Sequence, residues 1–89
     1  PFCGNSEAIM RVVAEIPHPK TKITVFSWNG RYLVKFEYGL LEQTYKVSEM
    51  DLTSENDINE IVSEAFIAKV MARFMEMEKD FGQAINEVV

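Results

Sequence analysis

The sequence predicts an α+β fold in a single domain: a short N-terminal helix, a three-stranded antiparallel meander, and a long C-terminal helical segment packed on one sheet face. Two observations carry this prediction. An Asn-Gly pair joins two runs of β-branched and aromatic residues, and apolar residues recur at helical spacing through the last third of the chain. We divide residues 1–89 into a helix and Pro-rich connector over 1–21, the meander over 22–47 and the helical segment over 54–89.

Residues 5–16 have the pattern of a short amphipathic helix. The apolar residues that recur at helical spacing are Ala8, Ile9, Val12, Val13 and Ile16. Asn5 or Ser6 can serve as the N-cap. We expect the helix to end at Pro17 and Pro19, because a proline lacks the N–H that a helix needs and disfavours helical backbone in the residue before it.

The next two elements are strands over 22–28 and 31–38, joined by Asn29-Gly30. Asn and Gly tolerate the positive φ angles of a type I′ turn, so we expect a two-residue hairpin loop that places Val25 opposite Val34. Gly39-Leu40 has Gly first, as a type II′ turn requires, and leads into a third strand over 41–47.

The hairpin register assigns side chains to two sheet faces, because successive residues of a strand point to opposite sides. The predicted core face contains Ile23, Val25, Tyr32, Val34, Phe36, Tyr38, Leu41, Tyr45 and Val47. On the second face, Phe26, Trp28 and Leu33 form an apolar cluster beside Arg31. A cluster of this kind is either covered by its own charged neighbours or serves as an interface.

The helical segment over 54–89 is predicted to begin at a capping box formed by Ser54 and Asp57. Its apolar side rotates along the segment, because Val62 lies on a different side from the stripe of Phe66, Val70, Phe74, Met77, Phe81 and Ile85. We therefore expect a kink or break near 62–65, the alternative being one long helix covered on two sides by different neighbours. Residues 65–75 are apolar around most of the helix, so more than one neighbour must cover them.

The chain is acidic, with nine Lys and Arg against 14 Asp and Glu and a net charge of −5. Residues 54–89 carry three basic and eight acidic side chains, which accounts for the whole excess. This balance argues against nucleic acid and anionic membranes as partners. Cys3 is the single cysteine and no apolar stretch is long enough to span a bilayer, so we expect a soluble cytoplasmic protein.

The inventory of reactive side chains is small. We interpret His18 as a solvated loop residue and Cys3 as a terminal residue without a catalytic role. The acidic residues of the C-terminal segment fit a solvated helix face better than a set of metal ligands. We therefore expect no cofactor, no metal and no enzymatic activity, although an enzyme that uses these carboxylates stays open as a third candidate.

The leading hypothesis is a protein-interaction module that forms a homodimer or binds another protein through apolar helix and sheet surfaces. Its predicted interface residues are Phe26, Trp28, Arg31, Leu33, Ile67, Met71 and Met75. The alternative is a small-ligand-binding or regulatory subunit with an apolar, Tyr-lined pocket between sheet and helix. The predicted pocket residues are Tyr32, Phe36, Tyr45 and Phe74.

Overall fold

The computed structural model describes residues 10–89, which form one four-stranded antiparallel sheet and two helices. The strands are β1 (Arg11–Ile16), β2 (Lys22–Trp28), β3 (Arg31–Tyr38) and β4 (Leu41–Ser48), adjacent in the sheet in chain order. A 3₁₀ turn (Glu49–Asp51), helix α1 (Asn56–Ile61) and helix α2 (Glu64–Val88) follow. The α+β class is confirmed, whereas the N-terminal element and the number of strands differ from the prediction.

The predicted N-terminal helix is wrong over those of its residues that the structure describes. Its first part lies outside the described residues, and 11–16 form the edge strand β1. Between Val12, which pairs with Phe26, and Ala14, which pairs with Val25, the strand contains a β-bulge at Val13. The extra residue turns both Val13 and Ile16 toward the core. This spacing of three resembles that of a helix, which explains the error.

Both hairpin turns have the predicted backbone conformation. Asn29 and Gly30 have φ of 53° and 76°, as a type I′ turn requires, and Val25 lies opposite Val34. Gly39 has φ of 60°, the sign needed at the first position of a type II′ turn, and Tyr38 pairs with Leu41 across it. The predicted register of β2, β3 and β4 is therefore confirmed.

The core lies between one sheet face and the two helices. Its buried residues are Ile23, Val25, Val34, Phe36, Ile58, Val62, Ile67, Val70 and Phe74. The tyrosines, Leu41 and Val47 of the predicted core face pack against this cluster. The prediction of which sheet face is buried is confirmed, because the two tight turns leave no freedom in register.

Helix α1 begins at Asn56, and its N-cap is Glu55, one residue after the predicted Ser54. The Asp57 carboxylate accepts hydrogen bonds from the Thr53 backbone N–H at 2.8 Å and from the Thr53 hydroxyl at 2.9 Å, so its side-chain partner is Thr53 rather than Ser54. These two bonds hold the pKa of Asp57 below its ordinary value, because they stabilise the charged form.

The predicted break in the helical segment is confirmed. Val62 has ψ of 64°, outside the helical range, and its side chain is buried in the core. Ser63 is the N-cap of α2, and its hydroxyl oxygen accepts a hydrogen bond from the Phe66 N–H at 3.2 Å. The break allows Ile58 and Val62 to reach the same core as the stripe of α2.

Helix α2 crosses the core face from the β1–β2 connection toward β4. At its start, Glu64 Oε1 lies 3.6 Å from His18 Nε2. One and a half turns later, the Gln43 side-chain N–H donates to the Val70 carbonyl at 3.0 Å. Neither described helix is long and apolar enough to span a lipid bilayer.

Candidate interaction surface

Helix α2 carries one apolar stripe along its length, and its first half is covered by the sheet. Ile67, Val70 and Phe74 are buried, and Met77 packs at the edge of the core. Phe74 is 0% exposed and stacks on Tyr38, with ring centroids 5.5 Å apart. The spacing of three and four residues brings these side chains to one face, as expected for a helix packed on a sheet.

The stripe continues beyond the part of the helix that the sheet covers. Phe81, Ile85 and Val88 follow Phe74 on the same face and are 52%, 43% and 87% exposed. The last three turns of α2 therefore carry an apolar face that residues 10–89 leave partly uncovered.

The β3–β4 turn brings a fourth apolar side chain to this region. Leu40 is at the tip of the hairpin and is 96% exposed. Beside it, a groove of about 340 Å³ runs between the hairpin and the helix. Its walls are Tyr38, Gly39, Leu40, Leu41, Glu78, Phe81, Gly82 and Ile85. We call Leu40, Phe81, Ile85 and Val88 the C-terminal apolar surface.

Two glycines give this groove its shape. Gly39 supplies the positive φ that turns the chain from β3 into β4 and so places Leu40 at the tip. Gly82 leaves the helix without a side chain at the floor of the groove, and a Cβ built there would meet no atom within 4 Å. The groove therefore has open space next to an exposed apolar side chain.

The apolar cluster on the second sheet face is partly covered by its own neighbours. Leu33 is 6% exposed, and Phe26 and Trp28 are half-buried. Lys35 Nζ lies 5.7 Å from the centre of the Phe26 ring, so a charged neighbour covers part of the cluster. Arg31 is exposed. Trp28 Nε1 is buried and has no hydrogen-bond acceptor among residues 10–89.

The predicted helix contribution to the interface is divided between core and surface. Ile67 is buried in the core and Met71 is half-buried against it, so neither presents much surface to a partner. Met75 is exposed. Apart from Met75, the exposed large apolar residues of α2 thus lie nearer its end than the predicted segment 65–75.

The four predicted pocket residues mostly contact one another and the core. Phe36 and Phe74 are fully buried, and Phe36 meets Tyr45 edge to face at 5.9 Å. The Tyr45 hydroxyl donates to the Gln43 side-chain carbonyl, so it has a partner within the chain. Tyr32 lines a cleft of about 110 Å³ next to α1, which is smaller than typical ligand sites. Burial, followed by the Glu55 and Glu49 carboxylates, raises the pKa of Tyr32.

His18 is not the solvated residue that the sequence analysis described. Its side chain is 9% exposed, and Nδ1 accepts a hydrogen bond from the Lys20 N–H at 3.1 Å while Nε2 faces Glu64. The ring thus links the Pro-rich connector to the start of α2.

No group of three His, Cys, Asp or Glu side chains within residues 10–89 is placed to hold a metal ion. Cys3 lies outside the described residues.

The sequence contained part of the signal for the C-terminal apolar surface. Phe81 and Ile85 belong to the predicted helical stripe, but periodicity does not show where the sheet stops covering it. Leu40 gave no signal at all, because single exposed apolar residues in turns are common.

Comparison of the chain with protein-family models, curated proteins and solved structures finds no match.

Proposed function

We propose that this chain is a non-enzymatic protein-interaction module that associates with a second copy of itself through the C-terminal apolar surface. The observation that carries the proposal is the continuation of one apolar stripe from buried Phe74 to exposed Phe81 and Ile85. A stripe that is buried on folding along half its length, and left in water along the other half, is typical of a helix that has a further partner.

The size of the surface supports a second copy as that partner. The exposed fractions of its four side chains correspond to roughly 550 Å² per copy, so a two-fold pairing would bury roughly 1,100 Å², just above the ~1,000 Å² expected of a specific interface. A two-fold contact uses the same patch on both molecules, so one patch per chain is sufficient.

We also propose the cytoplasm as the compartment of this protein, because a single cysteine is compatible with a reducing environment.

The test is the solution mass of the chain. We expect a mass near twice 10.2 kDa in light scattering at micromolar concentration. Phe81→Glu should shift the protein toward monomer, because it places a charge at the centre of the apolar contact. Val12→Glu is the matched control: Val12 is 53% exposed, close to the 52% of Phe81, but it lies on the second sheet face beside Phe26.

The two variants separate the helix surface from the sheet face. A dimer that survives Val12→Glu but not Phe81→Glu supports the C-terminal apolar surface. A dimer broken by Val12→Glu alone would move the interface to the cluster around Phe26, Trp28 and Leu33. A wild-type chain that is monomeric at high micromolar concentration would overturn self-association.

The small-ligand alternative has less support. The predicted pocket residues Phe36 and Phe74 are fully buried and in contact with other rings, so they leave little room for a ligand between sheet and helix. The groove beside Gly82 has the volume of a small-molecule site, but it is open on the side of the exposed Leu40. An exposed apolar side chain at the rim of a groove fits a protein partner better.

A further inference from the structure

We propose that Leu40 of each copy inserts into the groove beside Gly82 of the other copy, so that two reciprocal contacts hold the dimer together. This inference rests on the proposed self-association and assigns its specific contact. It predicts that the interface is a pair of identical insertions related by a two-fold axis, rather than a flat pairing of two helices.

Leu40 has the properties of an inserting side chain. It occupies the second position of the β3–β4 turn, where it contributes nothing to the core and is 96% exposed. The turn is held by Gly39 and by the pairing of Tyr38 with Leu41. A large apolar side chain on a short, well-paired hairpin can enter a partner with a small loss of conformational entropy, because its backbone is already ordered.

The groove has the properties of the receiving site. Tyr38, Leu41, Phe81 and Ile85 form apolar walls, and Glu78 carries the one charge among the described lining residues. At Gly82 the helix has no side chain, and the space above its Cα is open. The volume of about 340 Å³ exceeds that of a leucine side chain, so the groove has room to receive one.

The inserting residue and the receiving groove lie next to each other on one molecule, and this position selects a second copy as the occupant. Leu40 itself forms one rim of the groove. A two-fold axis makes every contact between the copies occur twice. If Leu40 of the first copy enters the groove of the second, then Leu40 of the second enters the groove of the first, and both contacts lie near the axis. The two insertions would cover the apolar rim of the groove in both copies.

The experiment compares two single variants and their combination, which exchange side-chain volume across the proposed contact. Leu40→Ala removes the inserting side chain, and Gly82→Leu fills the groove. Each change should weaken dimerisation at least about tenfold, since it removes buried apolar contact and occurs twice per dimer. The double variant, which combines Leu40→Ala with Gly82→Leu, nearly restores the total volume at the contact. Its dissociation constant should therefore return to within about tenfold of wild type.

The stability of the monomer is measured separately by thermal unfolding at low concentration. Gly82→Leu should raise the melting temperature, because leucine is a much better helix former than glycine and a Cβ at this position has no atom within 4 Å. Loss of dimer from this variant therefore cannot be attributed to misfolding.

Three outcomes would overturn the inference. If the double variant is weakened by the product of the two single effects, Leu40 does not contact Gly82 of the partner, although the dimer itself stands. If wild type is a monomer, the proposed function fails together with the inference. If that monomer binds the apolar fluorophore anilinonaphthalene sulfonate and Gly82→Leu abolishes the binding, the groove belongs to a small ligand instead.

Discussion

Phe74 and Phe81 lie two turns apart on the same face of α2, yet Phe74 is fully buried against Tyr38 while Phe81 is half exposed. The two residues have the same chemistry and the same helical environment. What differs is the sheet, which covers the first and ends before the second. The pair therefore separates the contribution of the core from that of a surface that residues 10–89 leave half exposed.

Phe74→Ala should reduce the free energy of unfolding by about 3–5 kcal/mol, since it leaves a cavity in the core. Phe81→Ala should cost less than about 1 kcal/mol when unfolding is measured at a concentration where the chain is monomeric. Urea denaturation followed by circular dichroism gives both values. If Phe74→Ala does not fold, Phe74→Leu should still lower the free energy of unfolding by more than Phe81→Leu does. Equal decreases would contradict the assignment of Phe74 to the core.

Gly30→Val should destabilise the chain by more than about 1 kcal/mol, because a β-branched residue resists the φ of 76° that the type I′ turn imposes. The control is Gly82→Ala, a glycine with helical backbone and free space around it. That change should stabilise the monomer by up to about 1 kcal/mol. An unchanged denaturation midpoint for Gly30→Val would be incompatible with the turn.

Ser63→Ala should cost about 1 kcal/mol, because the Ser63 hydroxyl accepts the hydrogen bond from the Phe66 N–H at the start of α2. Ser54→Ala, at the position where the sequence predicted a cap, should change the free energy of unfolding by less than about 0.5 kcal/mol. Thermal unfolding of the two serine variants tests whether the chain begins a new helix after Val62. Equal effects would argue for one continuous helix.

Asp57→Asn should remove an acid-sensitive part of the stability. The pKa of Asp57 is lowered in the folded chain by its bonds to Thr53, so the contribution is present above the ordinary carboxyl pKa of about 4. It is lost as the pH falls through the lowered folded-state value, because unfolding then takes up a proton. The melting temperature of Asp57→Asn should be lower than that of wild type at pH 7, and this gap should narrow toward pH 3. A constant gap would exclude the ionised carboxylate as its cause.

Salt should strengthen self-association. Each copy carries a net charge of −5, and the end of α2 is acidic at Glu76, Glu78, Asp80 and Glu87, so two copies repel each other at low ionic strength. Raising NaCl from about 20 to about 300 mM should lower the dissociation constant measured by sedimentation, because the Debye length shortens from roughly 20 Å to below 10 Å. A dissociation constant that rises with salt would instead indicate opposite charges facing each other.

The register of β2, β3 and β4 could be predicted from the sequence, and so could the bounds of β2 and β3. Asn29-Gly30 and Gly39-Leu40 are turns with specific backbone requirements, and each two-residue loop determines which residues pair. The break near Val62 could also be predicted, because a rotation of the apolar side is a local property of the chain. The N-terminal strand could not be predicted, because the bulge at Val13 gives it the apolar spacing of a helix.

The sequence by itself determined the two tight turns, the helix break and the buried sheet face of this protein, because backbone preferences and side-chain alternation act over a few residues. Tertiary structure alone decided how far along α2 the core extends. Ile67, Phe74, Phe81 and Ile85 share one stripe, and which of them is buried depends on where the sheet ends beneath the helix. The placement of Leu40 and Gly82 around one groove likewise depends on the packing of segments 42 positions apart, which no local preference encodes.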